Sequence, residues 1–191
     1  ANETFPLFRN LGKGLLMDVT YPSGIGRQTM AATGWSTGIY DFNNDGRKDL
    51  FAACSAIDDN TERFASRQAR QPNRVLANLG NLRFLDVSAT AGKDFQQLGA
   101  HRGAAFGDFD RDGRVDAVVS RIGERAELFR NTSPARNHWL ALKLRGRRSD
   151  RDGSGAMVHL TTASGSEHWN RVPTATGTGS TGDRTGALGK G

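Results

Sequence analysis

The chain of 191 residues contains one cysteine, five prolines and four histidines. With a single thiol, Cys54, no disulfide can close within the chain, and neither CxxC nor CxxCH occurs, so a dithiol redox centre and a c-type haem are excluded. No stretch approaches the ~20 consecutive apolar residues of a membrane-spanning helix, so no transmembrane segment is expected. HExxH, a P-loop and a nucleophile elbow are all missing. No nucleic-acid recognition motif is present, and nucleic acid is not expected as a partner. Glycine is plentiful at 24 residues while proline is scarce, a mix that points to many tight turns rather than a disordered linker. The opening "ANETFPLF" has no signal-peptide pattern and suits a mature end after cleavage, as it would equally suit an arbitrary boundary within a longer chain. Cys54 lies in the apolar stretch "DLFAACSA" and is expected to be a small buried packing residue.

What is present is basic. Lys and Arg number 26 against 20 Asp and Glu, a formal charge of +6. Seven of the carboxylates sit in two short loops, so the rest of the surface is more basic still. From residue 121 to 191 there are twelve Lys/Arg against six Asp/Glu, with Arg145, Arg147 and Arg148 the tightest cluster. Such a segment serves solubility or meets an acidic polysaccharide, an acidic protein face or an anionic surface.

The two loops are "DFNNDGRKD" at 41–49 and "DFDRDGRVD" at 108–116. Carboxylates this close repel unless something relieves them, and a bound cation is the first suspect. Positions 1, 3, 5 and 9 carry oxygen side chains: Asp41, Asn43, Asp45 and Asp49, then Asp108, Asp110, Asp112 and Asp116. Position 6 is Gly46 or Gly113, which permits a sharp turn. Position 7, Arg47 or Arg114, would add its carbonyl. This resembles the start of a helix-loop-helix calcium loop, except that Asp at 9 closes it and no Glu stands at 12. All-oxygen donors select a hard cation, Ca2+ before Mg2+, and exclude zinc, which wants His or Cys. Two calcium sites are therefore expected, tighter at the second loop, which has four carboxylates to the first loop's three. "SDRDGSGA" (149–156) lacks the closing Asp and is read as a plain turn.

A longer period surrounds the loops. "LFRNLG" (7–12), "VLANLG" (75–80) and "LFRN" (128–131) share an Asn after two apolar residues and one variable residue. Asn and Gly there suit a hairpin turn, since both tolerate positive φ. "GLLMDVT" (14–20) and "RFLDVSA" (83–89) follow the first two, and "DLFAACSA" and "DAVVSR" follow the acidic loops as strands. A long unit of several short strands means blades or an array. Residues 58–71 lack strand character and read as a polar inserted loop. From residue 137 the texture changes: "HWLALKLRG" alternates, "AMVHLTTA" and "SEHWNRVP" continue as strands, and 173–186 is a Gly/Ser/Thr-rich stretch expected to be mobile. Two regions follow, 1–134 with the blades and 135–191 with a small β-module.

These residues resemble the FG-GAP/VCBS repeats of integrin-type β-propellers, whose blades carry a DxDxDGxxD calcium loop between strands. Together with "NHWLALKLRGRRSDRDGSGAMVHL" (137–160) and the ending "GDRTGALGKG" (182–191), they look like the ASPIC type, the cartilage-acidic-protein-like family of secreted propellers. The resemblance implies an all-β fold, a partial β-propeller of about two blades followed by an ASPIC-type β-module that stops short of its last strands. Two blades cannot close a ring. The chain is thus expected to be a fragment, a portion of a longer protein or a short form completed by a protein partner or further blades, since unpaired strand edges would otherwise stand open.

The functional expectation is a non-catalytic, calcium-stabilised binding or scaffold module, extracellular, at the cell surface or periplasmic, serving adhesion or surface assembly. The alternatives are a polysaccharide or phosphoester hydrolase and a carbohydrate-binding module. His159, Glu167 and His168 cluster in sequence, but strand alternation sends Glu167 and His168 to opposite faces. Trp139 and Trp169 are expected in the core and Trp35 at the surface. "NET" (2–4) and "NTS" (131–133) match the glycosylation sequon, a weak signal.

Overall fold

The computed structural model describes residues 4–57, 68–134, 137–172 and 185–189. Residues 58–67 of the expected inserted loop lie outside these residues, as do the first sequon's Asn2 and most of the Gly/Ser/Thr-rich stretch.

The described residues are all-β apart from one short helix, α1 (Ile25–Thr29), and two 3-10 turns at Ser88–Thr90 and Asp94–Gln96. None of their helices is long and apolar enough to cross a membrane. The strands are β1 (Phe8–Gly12), β2 (Leu15–Asp18), β3 (Gly34–Tyr40), β4 (Asp49–Cys54), β5 (Arg74–Asn78), β6 (Phe84–Asp86), β7 (His101–Gly107), β8 (Asp116–Arg121), β9 (Glu124–Phe129), β10 (Trp139–Lys143), β11 (Met157–Thr161), β12 (Glu167–Arg171) and β13 (Thr185–Gly189). Strands β3 to β6 form an antiparallel four-stranded meander, and β7 to β9 a three-stranded one. Hairpin β1–β2 stands before them.

Register fixes the phase of the repeat. In β5–β6 the partners are Leu76↔Asp86, Ala77↔Leu85 and Asn78↔Phe84. In β1–β2 they are Phe8↔Asp18, Arg9↔Met17 and Asn10↔Leu16. The two hairpins are the same piece, the outer half of a blade. The described residues before Asn137 therefore run through half a blade, one full blade and three strands of another, arranged as a partial β-propeller with no closed barrel among them. Burial follows completeness. Leu76 and Phe84 are 1% and 9% exposed, whereas their counterparts Phe8 and Leu16 are 53% and 64% exposed. The difference is what covers them: Ile25 of α1 with Phe5, Leu7 and Leu50 packs against Leu76 and Phe84.

The main core lies between the full blade and the next. Phe51, Ala53, Phe95, Phe106, Val115 and Val119 are buried together, with Tyr40, Phe42, Val75 and Phe129 packed around them. Phe51 and Phe106 meet edge to face at 5.2 Å. A Cβ on Gly38 of β3 would strike the Phe106 ring, so the inner strands approach only because that position is glycine. Cys54 is buried as expected. A groove of about 720 Å³ lined by Phe51, Val75, Phe95 and Phe129 lies beside β9, which has no fourth strand next to it among the described residues.

The last strands pair as β10 with β13 and β11 with β12. Here the tryptophan expectations are corrected. Trp139 and Trp169 are 44% and 53% exposed. Alternation in β11–β12 turns Val158, Leu160 and His168 inward and Met157, His159 and Trp169 outward. Trp169 stacks on His159 at 3.7 Å instead of entering the core. Trp35 is half-buried: its Nε1 donates to the Ser55 carbonyl at 3.0 Å, and Arg102 lies over its ring at 4.1 Å. Residues 149–156 form a tight turn in which Ser154 N–H donates to Asp150 Oδ2 at 2.7 Å.

Candidate metal centre

Each acidic loop joins the first two strands of a sheet, β3 to β4 and β7 to β8. The sequence dictates the turn. Positions 4 and 6 both take positive φ, Asn44 at 55° and Gly46 at 86°, then Arg111 at 63° and Gly113 at 83°. Asn bears the left-handed region more easily than most residues, and glycine bears it freely.

These two kinks wind the backbone around the first aspartate. Asp41 accepts N–H groups from Asp45 at 3.0 Å and Gly46 at 2.8 Å. Asp108 accepts those of Asp112 at 3.0 Å and Gly113 at 2.8 Å. The closing aspartate is gripped from both sides. Asp49 accepts from Phe42 N–H at 3.1 Å and Asn78 N–H at 2.8 Å. Asp116 accepts from Phe109 N–H at 3.0 Å and Asn131 N–H at 2.7 Å.

Asn78 and Asn131 are the recurring Asn residues, and reading them as positive-φ turn formers is corrected here. Positive φ falls on Gly12 and Gly80, not on the Asn. The Asn side chain does two other jobs. Its Oδ1 accepts the N–H two residues on: Gly12 for Asn10, Gly80 for Asn78 and Ser133 for Asn131. In the last two, Nδ2 donates to the carbonyl just before the closing aspartate, Lys48 O at 2.9 Å and Val115 O at 3.1 Å. Asn131 Nδ2 also donates to Phe42 O in the first loop at 2.7 Å. Both amide hydrogens of Asn131 are therefore used, which sets the sequon at 131–133 against its reading as a glycan acceptor.

The position-7 arginines complete each loop. Arg47 Nε donates to Asn78 O at 2.9 Å and its Nη2 meets Asp45 Oδ2 at 2.6 Å. Arg114 Nε donates to Asn131 O at 2.9 Å, and its guanidinium pairs with Asp112. Asp45 and Asp112 thus each spend one oxygen on arginine.

The loops differ at position 3. Asn43 in the first donates from Nδ2 to Asp45 Oδ2 at 3.1 Å. Asp110 in the second accepts from Arg130 Nε at 2.6 Å. In the second loop Asp108, Asp110 and Asp116 each bring a carboxylate oxygen within 4.8 Å of the others, the one such trio among the described residues. That spread matches a single hard cation with oxygens at ~2.3–2.6 Å on either side of it. In the first loop no acidic trio meets this spacing, and Asn43 takes the place of the middle carboxylate.

Charge is held here at a cost. Burial pushes Asp49 up to about 6, against the amides of Asn78 and Phe42, with Asp45 and Asp41 adding to the rise. Asp41 is raised for the same first reason, burial. Burial also works on Asp110, but the hydrogen bond and charge of Arg130 outweigh it and hold that carboxyl below the usual range. Lys48, whose ammonium is lowered by burial, donates to Asn170 Oδ1 at 2.9 Å.

Away from the loops, Glu167 lies 3.7 Å from His159 on the exposed face of β11–β12, while His168 turns inward. Sequence reasoning missed the contributions of Asn78, Asn131, Asn44 and Trp139 to the loops. The recurrence of Asn was visible, but its partners lie 15 to 30 residues back in the chain.

Residues 41–119 match the family model of the FG-GAP-like repeat. The match starts on the opening aspartate of the first loop and ends inside β8, so it takes in the whole of one loop-to-loop period. No curated protein matches the chain. Residues 41–119 are thus similar to an FG-GAP-like repeat, a kind of unit generally involved in binding or adhesion-type interactions.

Proposed function

We propose that this chain is a calcium-stabilised, non-catalytic binding or scaffold module that works outside the cytoplasm. The observation carrying this reading is the repeated cage: two loops with one hydrogen-bond plan, the second gathering Asp108, Asp110 and Asp116 within 4.8 Å. Asp41, Asn43, Asp45 and Asp49 with the Arg47 carbonyl would hold one ion. Asp108, Asp110, Asp112 and Asp116 with the Arg114 carbonyl would hold the other. Bound calcium supplies positive charge that relieves carboxylate repulsion and pins the loop between its strands. The chain's own residues do the rest. Backbone amides orient the first and last carboxylates, the Asn clasps fix the loop to the sheet, and the arginines screen position 5. Millimolar calcium outside cells keeps even weak loop sites filled, and FG-GAP repeats are typically extracellular.

In this reading residues 1–134 are the propeller part and 135–191 a separate β-module of the ASPIC type, as the resemblance of 137–160 suggests. Further blades or a protein partner complete the open sheets. The exposed cluster Arg145, Arg147 and Arg148 supports contact with an acidic polysaccharide or anionic surface. The test is calcium titration by calorimetry, with thermal melts in calcium and in EDTA. Two binding events and a raised melting point are expected; at 100 times the dissociation constant each site adds roughly 2.7 kcal/mol. No heat and no shift would overturn the reading.

A second reading is a carbohydrate-binding module. It is favoured by one observation, the exposed Trp169 ring stacked on His159. A glycan array probed with calcium-loaded protein and with Trp169→Ala tests it; no hits with the unaltered protein would end it, and equal positive signals from both would end the role of Trp169.

A further inference from the structure

The contacts that leave the two loops converge on one another and on the strand that follows the blades. Asn44, at position 4 of the first loop, is buried and donates from Nδ2 to Gly113 O of the second loop at 3.0 Å, across 69 residues of chain. Gly113 N–H is held by Asp108, the opening carboxylate of the second loop. One glycine therefore has its amide tied to its own loop and its carbonyl tied to the neighbouring loop. Its third side is covered by Trp139, since a Cβ built on Gly113 would fall on the indole. The region after the blades makes two more such contacts with the first loop: Asn137 Nδ2 donates to Asn44 O at 2.7 Å, and Lys48 Nζ to Asn170 Oδ1 at 2.9 Å.

We propose that the two loops and the β10–β13 region form one coupled device. Cation occupancy of either loop sets the backbone of the other through Asn44 and Gly113, and that backbone sets the seating of Trp139. This rests on the calcium reading above. The physical reason is geometric. A cation drawn between Asp108, Asp110 and Asp116 fixes the loop whose turn runs through Gly113, and Gly113 can move only with the Asn44 amide and the indole that lies on it. Asn44 is in turn held from two sides, by its own left-handed turn and by Asn137. Linkage then requires each site to raise the affinity of the other by the same factor. The counterpart of Asn44 in the second loop is Arg111, which is exposed, so the chain of contacts runs from the first loop to the second and on to Trp139.

The test follows calcium binding by calorimetry and Trp139 by fluorescence in parallel. Fluorescence is assigned by its loss in Trp139→Phe, which leaves every carboxylate of the acidic loops in place. In the unaltered chain the Trp139 signal should change as calcium binds. Disabling the first loop with Asp41→Asn and Asp49→Asn should weaken calcium at the second loop by about five-fold or more. In the Asn44→Ala background the same first-loop change should leave the second site's affinity as it was in Asn44→Ala alone. Heat of binding with a flat Trp139 signal, or a first-loop effect that survives in Asn44→Ala, overturns the coupling while leaving calcium binding in place. Absence of heat with calcium overturns both readings. Circular dichroism of each variant in saturating calcium separates a lost coupling from a lost fold.

Discussion

The backbone amide of Asn78 donates to Asp49 at 2.8 Å, and the Asn78 side chain donates to the carbonyl of Lys48 beside it. One residue on the third strand of a blade thus holds the last position of the acidic loop by two bonds. Asn131 repeats this on Asp116 and Val115, and adds a bond to Phe42 of the preceding loop.

Replacing Asn131 removes both side-chain donors and leaves two carbonyls without partners in a partly buried place. Asn131→Ala should cost about 1–3 kcal/mol. Asn78→Ala has one such donor bond to lose, to Lys48 O, and should cost less. Urea unfolding of the two variants side by side checks the order.

Gly113 and Gly123 make a matched pair. Both have positive φ, 83° and 69°, but a Cβ meets nothing within 4 Å at Gly123 and meets the Trp139 indole at Gly113. Gly123→Ala should lose only the backbone term, about 1–2 kcal/mol. Gly113→Ala should lose more and should also shift the emission of Trp139. Melting curves with fluorescence as the probe read both effects.

Without divalent ions, the chain should lose stability as pH rises from about 4 to above 6. Asp49 has a folded pKa of about 6, raised by burial from 3.8. Between those values the folded state binds more protons than the unfolded one. The stabilisation is full below the unfolded value and is gone once pH has risen through the folded one. Asp41 is raised in the same direction. Proton and cation compete for the same oxygens, so calcium should raise the melting point more at pH 7.5 than at pH 5. Melts at both pH values, in EDTA and in calcium, give the four numbers needed.

Cys54 should ignore thiol reagents until the chain unfolds. Its side chain is fully buried, and burial pushes the thiol up to about 12, so thiolate is scarce at ordinary pH. Ellman's reagent at pH 8 should react slowly in buffer and promptly in denaturant.

Much of the strand content was legible because it rests on local pattern. Alternation marks β10 and β11, and the acidic loops announce themselves by spacing, with Gly46 and Gly113 at the one place where the turn needs them. The roles of Asn78 and Asn131 were not legible. A side chain that closes an Asx turn and one that clasps a distant loop look the same in sequence, and only the partner distinguishes them. The tryptophans misled for a related reason. An aromatic in an alternating strand faces one side or the other, and nothing local says which side is covered.

The sequence by itself determined the repeat, its period, the spacing of the oxygen-bearing side chains in both loops and the all-β class, since each is a matter of residue type and spacing along the chain. The tertiary structure decided the phase of the blades, the bond from Asn44 to Gly113 and the seat of Trp139. Those depend on groups 26 to 69 residues apart meeting at hydrogen-bond or van der Waals distance, a condition set by how whole sheets stack and by which of their faces remain open.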